Sequence, residues 1–338
     1  MHNQSISIFS TCPPSNFSRA DSYLRQVAEI ARWSEAEGCE GILVYTDNGL
    51  VDPWLVAQTI VTHTERLCPL VTVQPVYMHP YAVAKMVASL AFLHGRRVYL
   101  NIVAGGFKHD LNALHDSTPH DERYARVVEY TSLIMALLRT SQPVTHEGPY
   151  YRVTNLTMTP PLPAELMPGV FVSGSSAAGL DAARAIGATA VQYPRPVAEY
   201  ADVTPFGVAE AGIRIGIIAR EDAADAWRVA RSRFPEDRRG QLAHQLAMKG
   251  SDSKWHEQLS QLGREGGDDE HNPYWLVPFE NFKTFCPYLV GSYERVADEI
   301  ARYIGVGYRP FILDVPASPE ELEHIRLVFQ RGTSRVPS

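Results

Sequence analysis

The sequence predicts an α/β protein built on a parallel (β/α)8 barrel of the TIM type. Short runs rich in Val, Ile and Leu alternate along the chain with longer segments of helical periodicity, which is typical of parallel strands joined by helices. A barrel of 338 residues normally forms one domain, so we expect residues 1–338 to be a single domain. The predicted strands are, in order, SISIFS, EGILVYT, PLVTVQP, RVYLNIVA, GVFVSG, TAVQY, IRIGIIA and RPFILDV.

The composition indicates a reducing compartment and disfavours nucleic acid as a partner. A net charge of -7 leaves no broad basic face for a phosphate backbone. The cysteines are too few for a secreted disulfide framework and too far apart for a zinc motif. The sequence has no apolar run of membrane-spanning length and no signal peptide pattern at its start. We therefore expect a cytoplasmic protein with no membrane partner.

Apolar residues at helical spacing define the first helix and the last crossover helix. The inner face of the first helix is predicted to consist of Leu24, Val27, Ala28 and Ala31. The inner face of the last crossover helix is predicted to consist of Val296, Ile300, Tyr303 and Ile304. We expect Gly305 to end this last helix. After the second strand, Asp52 followed by Pro53 is typical of a helix start.

Two segments are longer than a simple strand–helix repeat requires. After strand four and its helix, the segment THEGPYYRVTNLTMTPPLP has turn residues and alternating patches, which predict an inserted hairpin. Between strands seven and eight, residues 233–287 exceed any crossover, and we interpret them as a lid over the barrel mouth. An apolar cover could be formed by Tyr274, Trp275, Phe279, Phe282 and Phe285, with Lys283 available to an anionic substrate. Alternatively, these aromatic residues pack on a barrel helix or a neighbouring subunit.

The segment VFVSGSSAAGLDAARAIG is a candidate anion site. A buried strand reaches Gly174, and Ser175 and Ser176 then open an Ala-rich helix that ends at Gly187. Backbone N–H groups, two hydroxyl groups and the positive end of the helix dipole favour an anion, and on the later strands of such barrels that anion is typically a phosphate. A helix cap without a ligand explains the same residues.

The segment NIVAGGFKHDLNALHDSTPHDERY runs from a predicted strand into a polar loop. The apolar run Val98–Val103 opens into Ala104-Gly105-Gly106, which we place at the barrel mouth. Metal binding by the histidines of the loop and the following helix start is one interpretation. However, their spacing fits no zinc-enzyme motif and no carboxylate is placed as a base. The histidines concerned are His109, His115 and His120.

A helix is predicted to begin near His120. Thr118 can cap this helix, with Pro119 at the first position. Capping does not explain His120 and Tyr124, which lie four residues apart on one helical face. An imidazole and a phenol at the barrel mouth could form hydrogen bonds with a cofactor tail.

The seventh strand, GIRIGIIARED, places a cation inside the barrel. Alternation predicts that Ile213, Ile215 and Ile217 pack against the outer helices. Arg214 then points inward, with Gly216 leaving space beside it. A salt bridge within the barrel wall and a contact with substrate or an oxyanion are both open interpretations. The sequence has no Gly-x-Ser-x-Gly, no P-loop and no Gly-x-Gly-x-x-Gly after its first strand, which weakens hydrolase and nicotinamide interpretations.

Several of these segments, taken in order, resemble the bacterial luciferase-like flavin monooxygenases, and most of all their alkanesulfonate monooxygenase branch. Each segment alone is weak evidence for the family, but their order along the chain is specific to it. The resemblance extends from about residue 5 to residue 330. The segments are DPWLVAQTIVTHTERL, NIVAGG, HDERY, FVSGSS, IRIGIIARED and YLVGSYERVADEIARYIGVGYRPFIL.

The resemblance implies a two-component enzyme. Reduced FMN would come from a separate NAD(P)H:flavin reductase, and O2 would react through a flavin C4a-peroxide in a Baeyer–Villiger, N- or S-oxygenation. The cofactor-binding residues implied are Asn101, Ala104, His120, Tyr124, Gly174, Ser175, Ser176 and Tyr193. The catalytic residues implied are Arg214, Cys12 and Asn101, and the substrate residues are Leu50, Trp54, Gly216, Trp275 and Lys283.

This chain departs from the sulfonate enzymes around the substrate. Leu50 stands where they have a cysteine, and Gly216 and Cys12 stand where they have histidines. Their tyrosine after strand eight has no counterpart in LDVPASPEE. The set that holds the flavin is therefore similar, whereas the set that cleaves sulfonates is mostly replaced. Leu50 and Gly216 should enlarge and dry the pocket, which favours a larger and less anionic substrate, small or tethered to a carrier protein, in specialised metabolism.

Two other functions remain compatible with the sequence. One is a deazaflavin-dependent oxidoreductase of the same superfamily, and the other is a flavin-binding barrel without catalytic activity. Luciferase-like proteins usually pair through helices of the barrel wall, so the resemblance also implies a homodimer or homotetramer.

Overall fold

The computed structural model describes residues 6–200, 208, 210–250, 254–265 and 272–336. Its strands are β1 (Ser7–Thr11), β2 (Gly41–Val44), β3 (Cys68–Val73), β4 (Tyr99–Val103), β5 (Val144–Glu147), β6 (Arg152–Leu156), β7 (Val170–Ser173), β8 (Thr189–Gln192), β9 (Glu210–Arg220), β10 (Tyr274–Trp275), β11 (Tyr288–Ser292) and β12 (Tyr308–Leu313). Strands β1, β2, β3, β4, β7, β8, β9 and β12 pair in this order, all parallel, and β12 pairs with β1 to close the barrel. The predicted TIM-type barrel and its strands are confirmed.

Helices pack around the barrel wall. They are α1 (Ala20–Ala36), α2 (Pro53–His63), α3 (Pro80–His94), α4 (Lys108–Ala113), α5 (His120–Arg139), α6 (Ala177–Ile186), α7 (Ala223–Arg233), α8 (Arg238–Gly250), α9 (Lys254–Glu265), α10 (Val277–Glu280), α11 (Tyr293–Val306) and α12 (Pro319–Thr333). Of these helices, α8, α9 and α10 belong to the insertion between β9 and β12. Within the described part of the chain, no helix is both long enough and apolar enough to cross a bilayer.

The barrel interior has an apolar layer beneath a polar one. The apolar layer is a cluster of buried side chains, one from each barrel strand except β9: Phe9, Leu43, Leu70, Tyr99, Phe171, Val191 and Ile312. Because strand side chains alternate between faces, the residues two positions further on also face the interior. These residues include Thr11, Tyr45, Thr72, Asn101, Ser173 and Asp314. They lie at the carboxyl ends of the strands, which we call the mouth, and this is the end where barrel enzymes place their active sites.

The outer face of β9 is packed as the alternation predicts. Ile213, Ile215 and Ile217 are buried in a cluster with the inner residues of α11 and α12. Burying each such side chain contributes about 1.5–3 kcal/mol, which fixes which face of β9 points outward. Arg214 is thereby directed inward.

Three local predictions are wrong in detail. In α1, Leu24 is 51% exposed, and Tyr23 and Ile30 complete the buried face instead. Helix α11 continues through Gly305 and ends at Val306, and the next residue, Gly307, has a φ of 115°, the left-handed conformation that ends helices.

The third correction concerns the start of α5. The helix begins at His120 after Pro119, but Thr118 does not cap it. The Thr118 hydroxyl instead donates to the Asp116 carboxylate at 2.6 Å. Arg126 also donates to this carboxylate, so the loop before α5 is held by a side-chain network rather than by a capping hydroxyl.

Both long insertions are present, and the second brings two strands that the sequence did not predict, β10 and β11. The predicted hairpin is formed by β5 and β6, which pair antiparallel. Between β9 and β12 lie α7, α8, α9, β10 and α10, followed by β11 and α11. Residues 211–215 of β9 pair with β12, whereas residues 216–220 pair with β11. Strand β9 thus extends beyond the barrel wall and supports the base of the insertion.

Candidate active site

An amide at the centre of the mouth is fixed by two neighbouring strands. The Asn101 Nδ2 donates to Thr72 Oγ1 at 3.1 Å, and Ser173 Oγ donates to Asn101 Oδ1 at 2.8 Å. Asn101 is only 5% exposed. Its orientation is therefore set by β3 and β7, and it forms part of the floor of the mouth.

The start of α6 has the geometry of an anion site. Ser176 caps the helix by accepting from the Gly179 N–H at 3.1 Å. The Ser175 hydroxyl oxygen is buried and has no hydrogen-bond partner among the described residues. Because buried polar atoms are normally paired, a buried hydroxyl beside unpaired helix N–H groups fits a bound phosphate.

Tyr124 reaches this helix start because residue 174 is a glycine. A Cβ atom at Gly174 would lie 2.3 Å from the Tyr124 hydroxyl oxygen. The Tyr124 ring packs edge-on against His120 with a centroid distance of 5.2 Å. The structure therefore brings His120, Tyr124, Gly174 and Ser175 together from α5 and from the end of β7. Ala104 belongs to the same buried cluster as Tyr124.

Arg214 is a buried cation on β9, three strands away from Asn101 along the barrel wall. It is 4% exposed, and its guanidinium carbon lies 4.7 Å from the centre of the Tyr45 ring. Its Nη2 lies 3.8 Å from Asp314 Oδ1, while Nε and Nη2 have no hydrogen-bond partner within the described chain. The carboxylate offsets the buried charge, and the unpaired N–H groups remain available to a ligand.

Asp314 is held by a phenol that the sequence did not reveal. The Tyr288 hydroxyl, from β11, donates to Asp314 Oδ2 at 2.6 Å. Burial, followed by the Asp314 charge, raises the pKa of Tyr288 well above its usual value. Tyr288 is therefore a protonated donor that fixes the carboxylate beside Arg214.

Aromatic side chains from the insertion close the mouth from above. We call Trp255, His256, Phe279, Phe282 and Phe285 the roof. Trp255 stacks on Tyr193 with a centroid distance of 3.7 Å and an interplanar angle of 11°. His256 lies 6.0 Å from Phe107, which follows β4, and Phe285 lies 6.5 Å from Tyr45. The insertion thus contacts residues that follow β2, β4 and β8.

Comparisons with known proteins identify the family. The family model of the luciferase-like monooxygenases matches residues 5–309. The chain belongs to the luciferase-like monooxygenase family. It is 33% identical over 312 residues, 90% of this chain and 91% of the relative, to the 4-(gamma-L-glutamylamino)butanoyl-[BtrI acyl-carrier protein] monooxygenase BtrO of Niallia circulans. The alkanesulfonate branch remains a prediction.

Solved structures of known proteins have the same fold. The crystal structure of DmoA from Hyphomicrobium sulfonivorans matches with a TM-score of 0.77 at 16% identity. The match covers 99% of this chain and 90% of the DmoA chain. The oxygenating constituent of 3,6-diketocamphane monooxygenase of Pseudomonas putida, a type II Baeyer–Villiger monooxygenase in complex with FMN, has a TM-score of 0.68 at 13% identity, with 99% of each chain covered. At these identities the similarity shows the fold of a luciferase-like barrel.

Gly216 does not enlarge the pocket of this luciferase-like monooxygenase. A Cβ atom there would lie 2.3–2.5 Å from ring atoms of Tyr288. The register of β11 sets Tyr288 opposite Gly216, so the phenol ring fills the space that the glycine leaves. The predicted open space beside Arg214 is therefore wrong.

Two predicted substrate residues of the insertion have other partners. Trp275 is 4% exposed and packs against Trp227 and Phe234 at centroid distances of 5.6 and 6.2 Å. It anchors α7 rather than lining the mouth. Lys283 Nζ lies 2.6 Å from Asp237 Oδ2, so its charge is engaged in the insertion rather than free for an anionic substrate.

The remaining predicted residues lie in packed surroundings near β1 and β2. Cys12 and Leu50 line a small cavity with Tyr23 and Tyr45, and burial raises the pKa of the Cys12 thiol far above its usual value. A thiol in this environment stays protonated and packs. Trp54 is 3% exposed in the large cluster shared by α2, α3 and α5, so it is a core side chain and not an open pocket wall.

His256, like Trp255, is a roof residue that sequence patterns did not reveal. It is fully buried, and neither ring nitrogen has a hydrogen-bond partner in the described ranges. Burial, with a smaller effect of His244, lowers its pKa to about 3. The imidazole is therefore neutral. Asp314, in contrast, could have been found by continuing the alternation two residues beyond Ile312.

No group of three metal-ligating side chains occurs within the described ranges. His109 pairs with Asp110 at 2.8 Å, and His120 pairs with Asp121 at 2.7 Å. Each of these two histidines therefore has an adjacent carboxylate as its partner.

Proposed function

We propose that this luciferase-like monooxygenase uses reduced FMN and O2 to oxygenate an organic acyl substrate that a carrier protein delivers. The start of α6 carries the proposal: a capped helix with unpaired N–H groups, a buried Ser175 hydroxyl without a protein partner and a glycine that admits Tyr124. These features suit the terminal phosphate of a mononucleotide.

The residues at this end of the barrel have complementary tasks toward FMN. The α6 amides and Ser175 would bind the phosphate, and Tyr124 and His120 would contact the flavin tail. Asn101, with its orientation fixed by Thr72 and Ser173, and Tyr193 would contact the ring. When bound, reduced FMN supplies the electrons that activate O2 and the site from which one oxygen atom is transferred.

Arg214 would stabilise negative charge that develops on oxygen during the transfer. Its free N–H groups are prearranged in a site with little water, where such donors are most effective. The Asp314 carboxylate and the Tyr288 hydroxyl hold the guanidinium in place. The apolar roof excludes water, which protects reactive oxygen species from unproductive decay.

A carrier-bound substrate is supported by the relative BtrO, whose named substrate is an acyl chain on an acyl-carrier protein. The similarity extends over 90% of this chain. We further propose that a separate NAD(P)H:flavin reductase supplies reduced FMN and that the protein works in the cytoplasm as a homodimer or homotetramer. The oxygenation itself would be of the Baeyer–Villiger, N- or S-type.

Anaerobic titration with reduced FMN and with the reduced deazaflavin F420 separates the flavin from the deazaflavin function. We expect binding of reduced FMN in preference to the deazaflavin. Oxygen uptake and hydrogen peroxide release are then measured with the 4-(gamma-L-glutamylamino)butanoyl chain on the BtrI carrier and on free pantetheine. Product formed in proportion to oxygen consumed supports the proposal. Peroxide formation at the rate of free flavin, without product, would identify a barrel without catalytic activity.

A further inference from the structure

The Tyr193–Trp255 pair differs in geometry from its neighbours. Its rings are nearly parallel, at 11°, and their centroids are 3.7 Å apart. The other ring pairs of the roof meet at steeper angles, such as 33° for Trp255 with His256 and 53° for His256 with Phe279. Trp255 therefore covers one flat face of Tyr193.

That face lies one strand away from the candidate phosphate site. Strands β7 and β8 are parallel neighbours with Ser173 opposite Val191. Ser175 lies two residues beyond the end of β7, and Tyr193 lies one residue beyond the end of β8, and neighbouring strands are about 5 Å apart. A mononucleotide whose phosphate lies at Ser175 can therefore reach the face of Tyr193 with its ring.

Trp255 and the flavin ring would compete for the same surface. An indole and an isoalloxazine are both flat, largely apolar ring systems that stack on a phenol ring. Trp255 is only partly buried and is carried by α9, a helix of the insertion rather than of the barrel. Tyr193, in contrast, directly follows β8. The tryptophan is thus the partner that can be moved.

We propose that Trp255 occupies the flavin-stacking face of Tyr193 and is displaced when FMN binds. The inference rests on the proposed FMN site. Its consequence is that Trp255 limits cofactor affinity, because each binding event must first break the indole–phenol stack. Since His256 adjoins Trp255 on α9 and packs against Phe107 and Phe285, displacement of Trp255 also changes the roof, so cofactor binding would reshape the mouth.

The test is the affinity of oxidised FMN for the full-length Trp255→Ala variant, measured by calorimetry. Removing the competing stack is expected to tighten FMN binding by about 2- to 10-fold. The variant Trp255→Phe, with a smaller ring, is expected to fall between wild type and Trp255→Ala. Trp33→Ala is a matched control, because Trp33 is also partly buried but lies on α1, and its FMN affinity should equal that of wild type.

A second ligand isolates the ring from the phosphate. Ribitol 5-phosphate, the tail of FMN without its ring, should bind wild type and Trp255→Ala equally. Weaker FMN binding by Trp255→Ala would mean that the indole packs on the bound flavin. Unchanged FMN binding would mean that Trp255 does not affect the flavin. Either result would overturn the inference without contradicting the FMN site. Failure of every variant to bind either ligand would overturn the FMN site as well.

Discussion

At the scale of single residues, Ser176 caps α6 beside the proposed phosphate site. Its hydroxyl accepts from the Gly179 N–H, and an aspartate can make the same cap. Ser176→Asp should therefore preserve α6 but set a carboxylate against the phosphate, weakening FMN binding by about tenfold or more. Calorimetric titration with FMN measures the effect. Ser176→Asn, a neutral cap, is the control, and equal affinity of the two variants would remove Ser176 from the phosphate site.

Substitution of Arg214 should slow substrate oxygenation without changing the affinity for FMN. Arg214→Lys keeps a charge beside Asp314 but loses the unpaired guanidinium N–H groups. Removing such donors typically lowers the rate by about 10²–10³-fold. We expect this loss in substrate oxygenation, with FMN affinity unchanged and more oxygen released as hydrogen peroxide.

The control for this variant is on the same strand. Arg220→Lys changes an arginine of β9 that pairs with Glu321 at the far end of the strand. Oxygenation should remain close to wild type in Arg220→Lys. Normal product yield in Arg214→Lys would contradict the role of Arg214.

At the scale of elements, the roof contains its own acid-sensitive group. His256 has a pKa of about 3 when the roof is closed, against about 6.5 for a histidine exposed to water. The closed roof therefore binds fewer protons than an open one, so closure is favoured at high pH and weakens as the pH falls below about 6.5. At pH 5.5 the population of open roof should rise about tenfold relative to neutral pH.

Hydrogen exchange of the α9 amides, corrected for intrinsic exchange, measures this opening. His256→Phe keeps an aromatic ring among Phe107, Phe279 and Phe285 but cannot take up a proton. In this variant, the exchange rate of the α9 amides should no longer rise at acidic pH. His324→Phe, which changes a histidine of α12 that is hydrogen-bonded to Tyr293, should retain this rise. Acid sensitivity that persists in His256→Phe would exclude His256 as its source.

Strand β11 shows why elements can be missed in a sequence. Its five residues, YLVGS, run directly into α11, so the apolar run is indistinguishable from the start of a helix. Pairing with residues 216–220 of β9, which extend beyond the barrel wall, makes it a strand. This tertiary pairing delivers Tyr288 to Asp314 and fills the space beside Gly216, which no local pattern encodes.

At the scale of the whole molecule, the barrel and the start of α6 could be predicted because they depend on local patterns. The alternation of side chains along β9 predicted that Arg214 points inward, and the Gly174-Ser175-Ser176 turn predicted the start of α6. The roof could not be predicted in the same way. Trp255 and His256 reach the mouth from a helix far along the chain, and their roles depend on how the insertion folds back over β4 and β8. Trp275 and Lys283, from the same insertion, turned out to anchor it.

The central claim is that the mouth binds FMN with its phosphate at the start of α6 and its ring on Tyr193. A crystal structure of the protein soaked with FMN tests it most directly. We predict phosphate oxygens within hydrogen-bonding distance of Ser175 and the first amides of α6, and the flavin ring against Tyr193 in place of Trp255. A phosphate bound elsewhere, or a flavin absent from the mouth at saturating FMN, would contradict the account.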